Sequence, residues 1–356
     1  MSGFSSTGLR VGIVGATGQV GRVVREILAE RAFPIAELRL FASARSAGST
    51  LPWGGAEITV EDASTADPAG LDIAIFSAGA TASRALAPRF ADAGVVVVDN
   101  SSAWRMDDEV PLVVSEVNPQ AIDEARKGII ANPNCTTMVI MLPAKALHDA
   151  FGLRSMVCTS FQAAGGAGQK GIDELTGQVA AVGEDVDQLI GDGAAAARKV
   201  EHHVHANTLA FNVVPLLGAL DDQGYTDEEL KMLNESRKIL SIPELAVTPT
   251  CVRVPVVVGH SVAVRATFDQ EVDLDRALEA LGAFPNLVVE QAPTPLEWAG
   301  RNETVVGRVR RDLNDPHALN FFVVGDNLLK GAALNTVQIA ELGLRKRSEL
   351  AARAHA

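Results

Sequence analysis

Leu9-Arg10-Val11-Gly12-Ile13-Val14, followed at once by Gly15-Ala16-Thr17-Gly18-Gln19-Val20-Gly21, is the stretch on which the fold turns. Its first six residues form an apolar run of strand length. Glycines at 15, 18 and 21 then permit a tight turn and let backbone N–H groups come close to a pyrophosphate. In Val20 to Ala29, Val23, Val24, Ile27 and Leu28 fall on one face of a helix. Strand, glycine turn and helix, near the start of the chain, predict a dinucleotide site with the positive helix end on the phosphates.

Further apolar runs continue the rhythm at Ile35 to Phe41, Ile58 to Val60, Ile73 to Phe76 and Val95 to Val98. The four consecutive valines of the last run suit a parallel strand buried on both faces. The expected fold class is α/β, beginning with a doubly wound sheet. After residue 135 the strand-like runs lengthen: Ser155 to Ala163, Thr250 to Phe268, Thr304 to Val309 and Leu319 to Val324. Helical stretches at Thr136 to Ala150, Ile172 to Val182, Asp227 to Leu240 and Leu274 to Leu281 accompany them, predicting an α+β domain with a mixed or antiparallel sheet. Gly183 to Val204 reads as a surface excursion, and Ala332 to Leu344 as a helix returning to the first domain. The expected division is 1–132 with 331–356 as the nucleotide-binding domain, and 133–330 as the second domain.

A chain of 356 residues is too long for one ordinary core, which supports two domains. The net charge of −13, with both signs mixed along the chain, disfavours nucleic acid or an anionic membrane as a partner. Three cysteines without a C-x-x-C pair suggest neither a disulfide framework nor a zinc site. No metal is expected. Met1 to Gly8 is polar, no apolar run reaches bilayer length, and a cytoplasmic location is expected.

The end of the second predicted strand reports on the cofactor. Phe41-Ala42-Ser43-Ala44-Arg45-Ser46-Ala47-Gly48 lacks the carboxylate that commonly holds a ribose hydroxyl in an NAD site. Ser43, Arg45 and Ser46 suit a 2′-phosphate, so NADP is expected, the alternative being a solvated arginine. Cys135, in Asn132-Pro133-Asn134-Cys135-Thr136-Thr137, stands where a loop turns into a helix, whose dipole favours thiolate. Its polar flanks point to chemistry, whereas Cys158 and Cys251 lie in apolar runs and read as buried hydrophobes. Of seven histidines, His202, His203 and His205 read as exposed, His148 as structural, and His317 as part of a turn. His260 closes a buried run and reads equally as a core residue or a site residue.

These motifs resemble the bacterial aspartate-β-semialdehyde dehydrogenase family over nearly the whole chain. The resemblance rests on Gly12 to Gly18, Phe76-Ser77-Ala78-Gly79, Asp99 to Arg105, Asn132 to Cys135, Phe161-Gln162-Ala163, Arg253-Val254-Pro255 with His260, and Gly325 to Gly331. It implies a Rossmann-type domain plus a second, catalytic and dimerisation domain like the C-terminal domain of glyceraldehyde-3-phosphate dehydrogenase. It implies a homodimer and a reaction joining aspartate semialdehyde, phosphate and NADP to aspartyl phosphate and NADPH. The product would feed lysine, diaminopimelate, threonine, methionine and isoleucine synthesis. By the same resemblance Cys135 is the acylated nucleophile, His260 the general acid/base, and Gln162 the residue that orients the substrate. Arg253 would hold the α-carboxylate, Glu228 the ammonium, Arg105 and Lys231 the phosphate, and Asn134 the alkoxide. Cofactor contacts are implied for Gly15, Ala16, Thr17, Gly18, Gln19, Val20, Ser43, Arg45, Ser46, Ser77, Ala78, Gly79, Gly165, Gly166 and Asn327. Gly165 stands where many relatives carry a serine, which touches one hydrogen bond of that set. The rival readings are N-acetyl-γ-glutamyl-phosphate reductase, whose thiol motif differs at Asn134 and Thr136, a glyceraldehyde-3-phosphate dehydrogenase, whose thiol motif differs at Met138, and a non-catalytic nucleotide-binding paralogue.

Overall fold

In a computed structural model of the chain, residues 8–183 and 186–354 are described. The polar stretch 1–7 and residues 184–185 of the expected surface excursion lie outside them. The chain forms two compact units, 1–134 with 331–356, and 135–330.

In the first unit, β1 (Leu9–Val14), α1 (Gln19–Glu30), β2 (Ile35–Ala42), β3 (Thr50–Trp53), β4 (Ala56–Asp62), β5 (Ile73–Phe76), α2 (Ala80–Asp92), β6 (Val96–Asp99) and β7 (Ile129–Ala131) follow in chain order. The sheet order is β3-β4-β2-β1-β5-β6-β7. All neighbours pair in parallel except β3, which runs antiparallel to β4. The chain winds outward from β1 through β2, then returns to place β5 on the other side of β1. That reversal opens a crevice beyond the carboxyl ends of β1 and β5, the usual place for a ligand in such a sheet. Phe90 of α2 meets Phe41 and Phe76 edge-on at 5.5 and 5.0 Å. Each such pair adds about 0.5–1.5 kcal/mol beyond the area it buries. β6 departs from the expected double burial, because Val96 at its start is 40% exposed while Val97 and Val98 are buried.

The second unit opens with α3 (Cys135–Phe151), whose residues from Thr136 to Ala144 are all buried. It continues through β8 (Leu153–Gln162), α4 (Gln169–Gly183), α5 (Gly193–Ala197), α6 (Asp227–Leu240), β9 (Ala246–Arg253), β10 (His260–Phe268), α7 (Leu274–Ala283), β11 (Leu287–Val289), α8 (Pro295–Trp298), β12 (Thr304–Arg311) and β13 (Ala318–Gly325). These strands form a mixed sheet in the order β11-β12-β13-β10-β8-β9. The run Thr250 to Phe268, read as one strand, is two. Pro255 and Gly259, the latter at φ +96°, interrupt it, and β9 and β10 pair with opposite sides of β8. The excursion is anchored on α4. The Glu174 carboxylate accepts the N–H groups of His203, Val204 and His205 at 2.7, 2.8 and 3.1 Å, and Gln178 Oε1 accepts that of Leu209 at 2.8 Å. His205 is therefore buried, not exposed as the polar sequence suggested, and its Nε2 meets the Gly171 carbonyl.

The chain then rejoins the first unit as α9 (Leu334–Ala354), where Glu341 makes a paired ion bridge to Arg31 just past α1. Among the described residues no helix is long and apolar enough to cross a membrane.

The turn after β1 depends on glycine for reasons of space. Gly15 has φ +87°, and a Cβ there would lie 2.3 Å from the Ser77 carbonyl oxygen. A Cβ on Gly21 would lie 2.3 Å from the Gly15 carbonyl oxygen, so α1 could no longer seat against the turn. Gly15→Ala should lower the urea midpoint by an amount equivalent to about 1–3 kcal/mol and weaken nucleotide binding. An unchanged midpoint and affinity would show that the turn has slack the structure does not display.

Candidate active site

Strand register gathers the candidate catalytic residues of the second unit. β8 ends at Gln162, which pairs with Arg253 at the end of β9. On its other side β8 pairs antiparallel with β10, setting Ser261 opposite Phe161, so His260 also stands at this sheet end. β13 closes the row, with Gly325 opposite His260. Cys135 begins α3, which packs across β10 and β8. Residues scattered over some two hundred positions thus meet at one edge.

Cys135 Sγ lies 3.3 Å from His260 Nε2. The opposite ring nitrogen, Nδ1, accepts the backbone N–H of Ala163 at 3.1 Å. A backbone N–H only donates, so Nδ1 carries a lone pair and the proton of the neutral ring sits on Nε2, facing sulfur. The ring is fully buried. Burial, and then the charge of Arg253, push its pKa down to about 3, with Glu228 acting weakly the other way. Arg253 donates from Nη1 to the Ala163 carbonyl at 2.7 Å. Its own pKa is lowered by burial, while the charges of Cys135 and Glu228 favour its cationic form. One residue, Ala163, thereby orients both groups through its two backbone atoms.

Gln162 is 2% exposed, and its Nε2 approaches Ser160 Oγ at 3.4 Å. Glu228 and Lys231, three apart on α6, form an ion pair of 2.7 Å. Gly165 donates its N–H to the Val257 carbonyl. Gly166 lies directly against Arg253 and His260. A Cβ there would lie 2.9 Å from Arg253 Nη1 and 3.0 Å from His260 Cε1. Asn327 accepts the Gly259 N–H through Oδ1 at 2.9 Å, bracing the turn just before His260. Cys158 and Cys251 are buried, and burial raises both thiols to about 12, which removes them as nucleophiles.

In the first unit a cavity of about 430 Å³ opens at the crevice between β1 and β5. Gly15, Thr17, Gly18, Ser43, Ser77 and Ala78 line it. Ala16 is buried beneath, Gln19 and Val20 open α1, and Gly79 at φ +81° precedes α2. Neither α1 nor α2 has a side-chain cap or an acidic residue in its first turn, so their leading N–H groups are left for an anion. Ser46 belongs to the turn after β2, and Arg45 is exposed on it. Arg105 is buried and donates to the carbonyls of Asn132 and Asn100 at 2.9 and 3.0 Å. Asn132 is held further by Asn335, which ties the segment ending at Asn134. These features fit a dinucleotide: the cradle has no room for a Cβ at Gly15, and two uncapped helix starts flank it.

Sequence reading did not reach several residues. Asp62 and Ser64 also line the nucleotide cavity, because β4 pairs with β2 and sets Asp62 opposite Ala42. The Asp62 carboxylate accepts from Ser64 Oγ and N at 2.7 and 2.9 Å, which lowers its pKa. Ala163 could have been found only through strand register, since its side chain carries no chemistry.

The family model described as "Semialdehyde dehydrogenase, NAD binding domain" matches residues 10–125, and "Semialdehyde dehydrogenase, dimerisation domain" matches 144–330. The chain is 55% identical to an aspartate-semialdehyde dehydrogenase of Streptomyces akiyoshiensis, over 94% of this chain and 98% of that one. It is 52% identical to that of Mycolicibacterium smegmatis, with the same two coverages. Among solved structures, aspartate semialdehyde dehydrogenase II of Vibrio cholerae complexed with ASA matches with a TM-score of 0.90 and 41% identity, over 96% of this chain and 99% of that one.

The depressed histidine has a consequence for stability. Its folded pKa of about 3 lies below the ordinary 6.5, so below pH 6.5 only the unfolded chain takes the proton. Stability from this group is complete above pH 6.5 and falls by about 1.4 kcal/mol per pH unit between pH 6.5 and about 3, below which the folded ring also takes the proton. His260→Gln, measured by urea midpoints, should lose less stability on acidification than the parent. Equal losses would mean that the folded ring accepts its proton normally.

Proposed function

The chain belongs to the aspartate-semialdehyde dehydrogenase family and is an oxidoreductase of amino-acid biosynthesis with that activity; on that premise we propose that it works through a thioester on Cys135, with NADP as cofactor. The proposed reaction interconverts L-aspartate 4-semialdehyde, phosphate and NADP⁺ with 4-aspartyl phosphate and NADPH. In the cell it runs toward the semialdehyde, for lysine, diaminopimelate, threonine, methionine and isoleucine.

One observation carries the covalent reading: Sγ of Cys135 faces a ring nitrogen of His260 at 3.3 Å. With the proton on Nε2, the ring meets sulfur as a donor. It stabilises thiolate, as do the start of α3 and the charge of Arg253. Attack of sulfur on C4 forms the C–S bond and moves the carbonyl pair onto oxygen. Backbone N–H groups of the first turn of α3 hold this alkoxide, with the carboxamide of Asn134 as a further donor by resemblance. Bound NADP⁺ supplies the hydride acceptor that turns the thiohemiacetal into a thioester. A phosphate oxygen then attacks the thioester carbon, the C–S bond breaks, and Cys135 leaves as thiolate to the same Nε2–H. The proton released overall comes from phosphate.

Gln162 orients the substrate beside sulfur, and Arg253 offers its remaining donors to the α-carboxylate. Glu228 takes the ammonium and Lys231, with Arg105, takes phosphate. The Glu228–Lys231 pair gives each group a partner of opposite charge until the substrates exchange it. NADP is favoured over NAD by Ser43, Arg45 and Ser46 beyond β2, a segment that carries no carboxylate of its own, while Asp62 of β4 lines the same cavity with its carboxylate engaged by Ser64. Gly165, Gly166 and Asn327 are assigned to cofactor contacts by resemblance. A homodimer through the second unit is supported by its partly open surface, where Val157 is 48%, Phe211 52% and Val213 56% exposed.

Cys135→Ser should abolish NADPH formation from the semialdehyde and phosphate while NADP affinity stays intact. Substantial phosphate-dependent turnover in that variant would remove the thioester from the account, and activity only on N-acetylglutamate semialdehyde would move the substrate. Arg45→Ala should raise KM for NADP⁺ by about 10–100-fold, the worth of hydrogen bonds to a charged group, and leave NAD⁺ kinetics alone. A parallel change for both cofactors would take Arg45 away from the 2′-phosphate.

A further inference from the structure

We propose that Glu229 is a positioning residue that sets the spacing between the ammonium-binding and carboxylate-binding groups, and through it selectivity for a 2-amino-4-oxo acid over its desamino counterpart. The inference rests on the roles of Glu228 and Arg253 proposed above.

Glu229 lies in the first turn of α6 and is 9% exposed. Its Oε2 accepts the N–H of Thr226, the helix N-cap, at 2.7 Å, and the Thr226 side chain accepts the Glu229 N–H in return. In a capping box of this kind the second carboxylate oxygen is not required by the helix. Here it is used. Oε1 accepts the backbone N–H of Cys251 on β9 at 3.0 Å. β9 is the outer strand of its sheet, so alternate N–H groups point away from β8 and need partners. Cys251 uses Glu229. Two residues on, Arg253 exchanges N–H and carbonyl bonds with Val214 at 2.9 and 3.0 Å.

One carboxylate therefore ties the start of α6 to β9. Glu228 is its neighbour on α6 and Lys231 follows two residues later, while Arg253 stands two residues beyond its partner on β9. The ammonium and carboxylate of an α-amino acid are a fixed distance apart, so the groups that receive them must be too. A glutamine at 229 keeps the shape but offers one acceptor to two N–H donors, and its own NH₂ would face the other.

The test compares kcat/KM for aspartate semialdehyde with kcat/KM for 4-oxobutanoate, which keeps the carboxylate and aldehyde but lacks the amine. In Glu229→Gln the ratio should fall about tenfold, the scale of one lost hydrogen bond to a charged group, with NADP affinity unchanged. A simple structural role would lower both values together. An unchanged ratio, whether or not thermal stability falls, overturns the proposal. If Glu229→Gln does not fold, Glu229→Asp, which keeps the charge but shortens the reach, is read the same way. Failure of both to fold assigns Glu229 to the core and also overturns it. Glu228→Gln is the control: if that variant leaves the ratio unchanged, the ammonium-binding reading fails rather than the positioning of α6.

Discussion

The backbone N–H of Ala163 donates to Nδ1 of His260, and the chemistry of the second unit depends on that bond. It decides which ring nitrogen holds the proton, and hence whether the imidazole meets sulfur as donor or acceptor. Donation suits a buried site. An imidazolium would set two N–H groups against each other at Nδ1 and would add a charge beside Arg253. A neutral donor avoids both costs and still steadies a thiolate. The Ala163 carbonyl holds Arg253 at the same time, so the two backbone groups of one residue orient both the thiolate's partner and a buried cation.

Ala163 is placed by the sheet, as the residue that follows the end of β8. β8 is flanked by β9 and β10, and the register brings Gln162, Arg253 and His260 to one end of three adjacent strands. Gly166 then has no room for a side chain, because the pair it backs already fills the space. The other face of the logic is the first unit, where β1 and β5 part and leave a cavity between two uncapped helix starts. Each unit makes its site from strand ends, which are rigid enough to hold a geometry.

Much of this architecture was legible in the residues. The parallel strands and amphipathic helices announce themselves by period, and Cys135 by its polar flanks at a helix start. β3 was missed because Thr50-Leu51-Pro52-Trp53 is short, carries proline and lies at a sheet edge. The burial of His205 escaped notice because it follows from Glu174, thirty-one residues away, gathering three N–H groups. For His260 the local residues could not separate core from site. The register that pairs β8 with β10 brings it to the sheet end beside Cys135, and no local pattern contains that placement. Glu229 went unremarked in the sequence, and only the fold reveals that it closes a helix cap with one oxygen and reaches a strand with the other. The roles of Gln162, Arg253 and Lys231 came from resemblance, since an arginine or lysine on a loop or helix face is ordinarily just solvated.

The central claim is that His260 is neutral and carries its proton on Nε2 beside Cys135. The most direct measurement is a nitrogen–proton correlation spectrum of the imidazole rings in histidine-labelled enzyme, assigned with His260→Gln and followed from neutral to acid pH. The account predicts one non-titrating neutral ring with its proton on Nε2. A proton on Nδ1, or an imidazolium at neutral pH, would contradict it and make His260 an acceptor or a charged partner of the thiol instead.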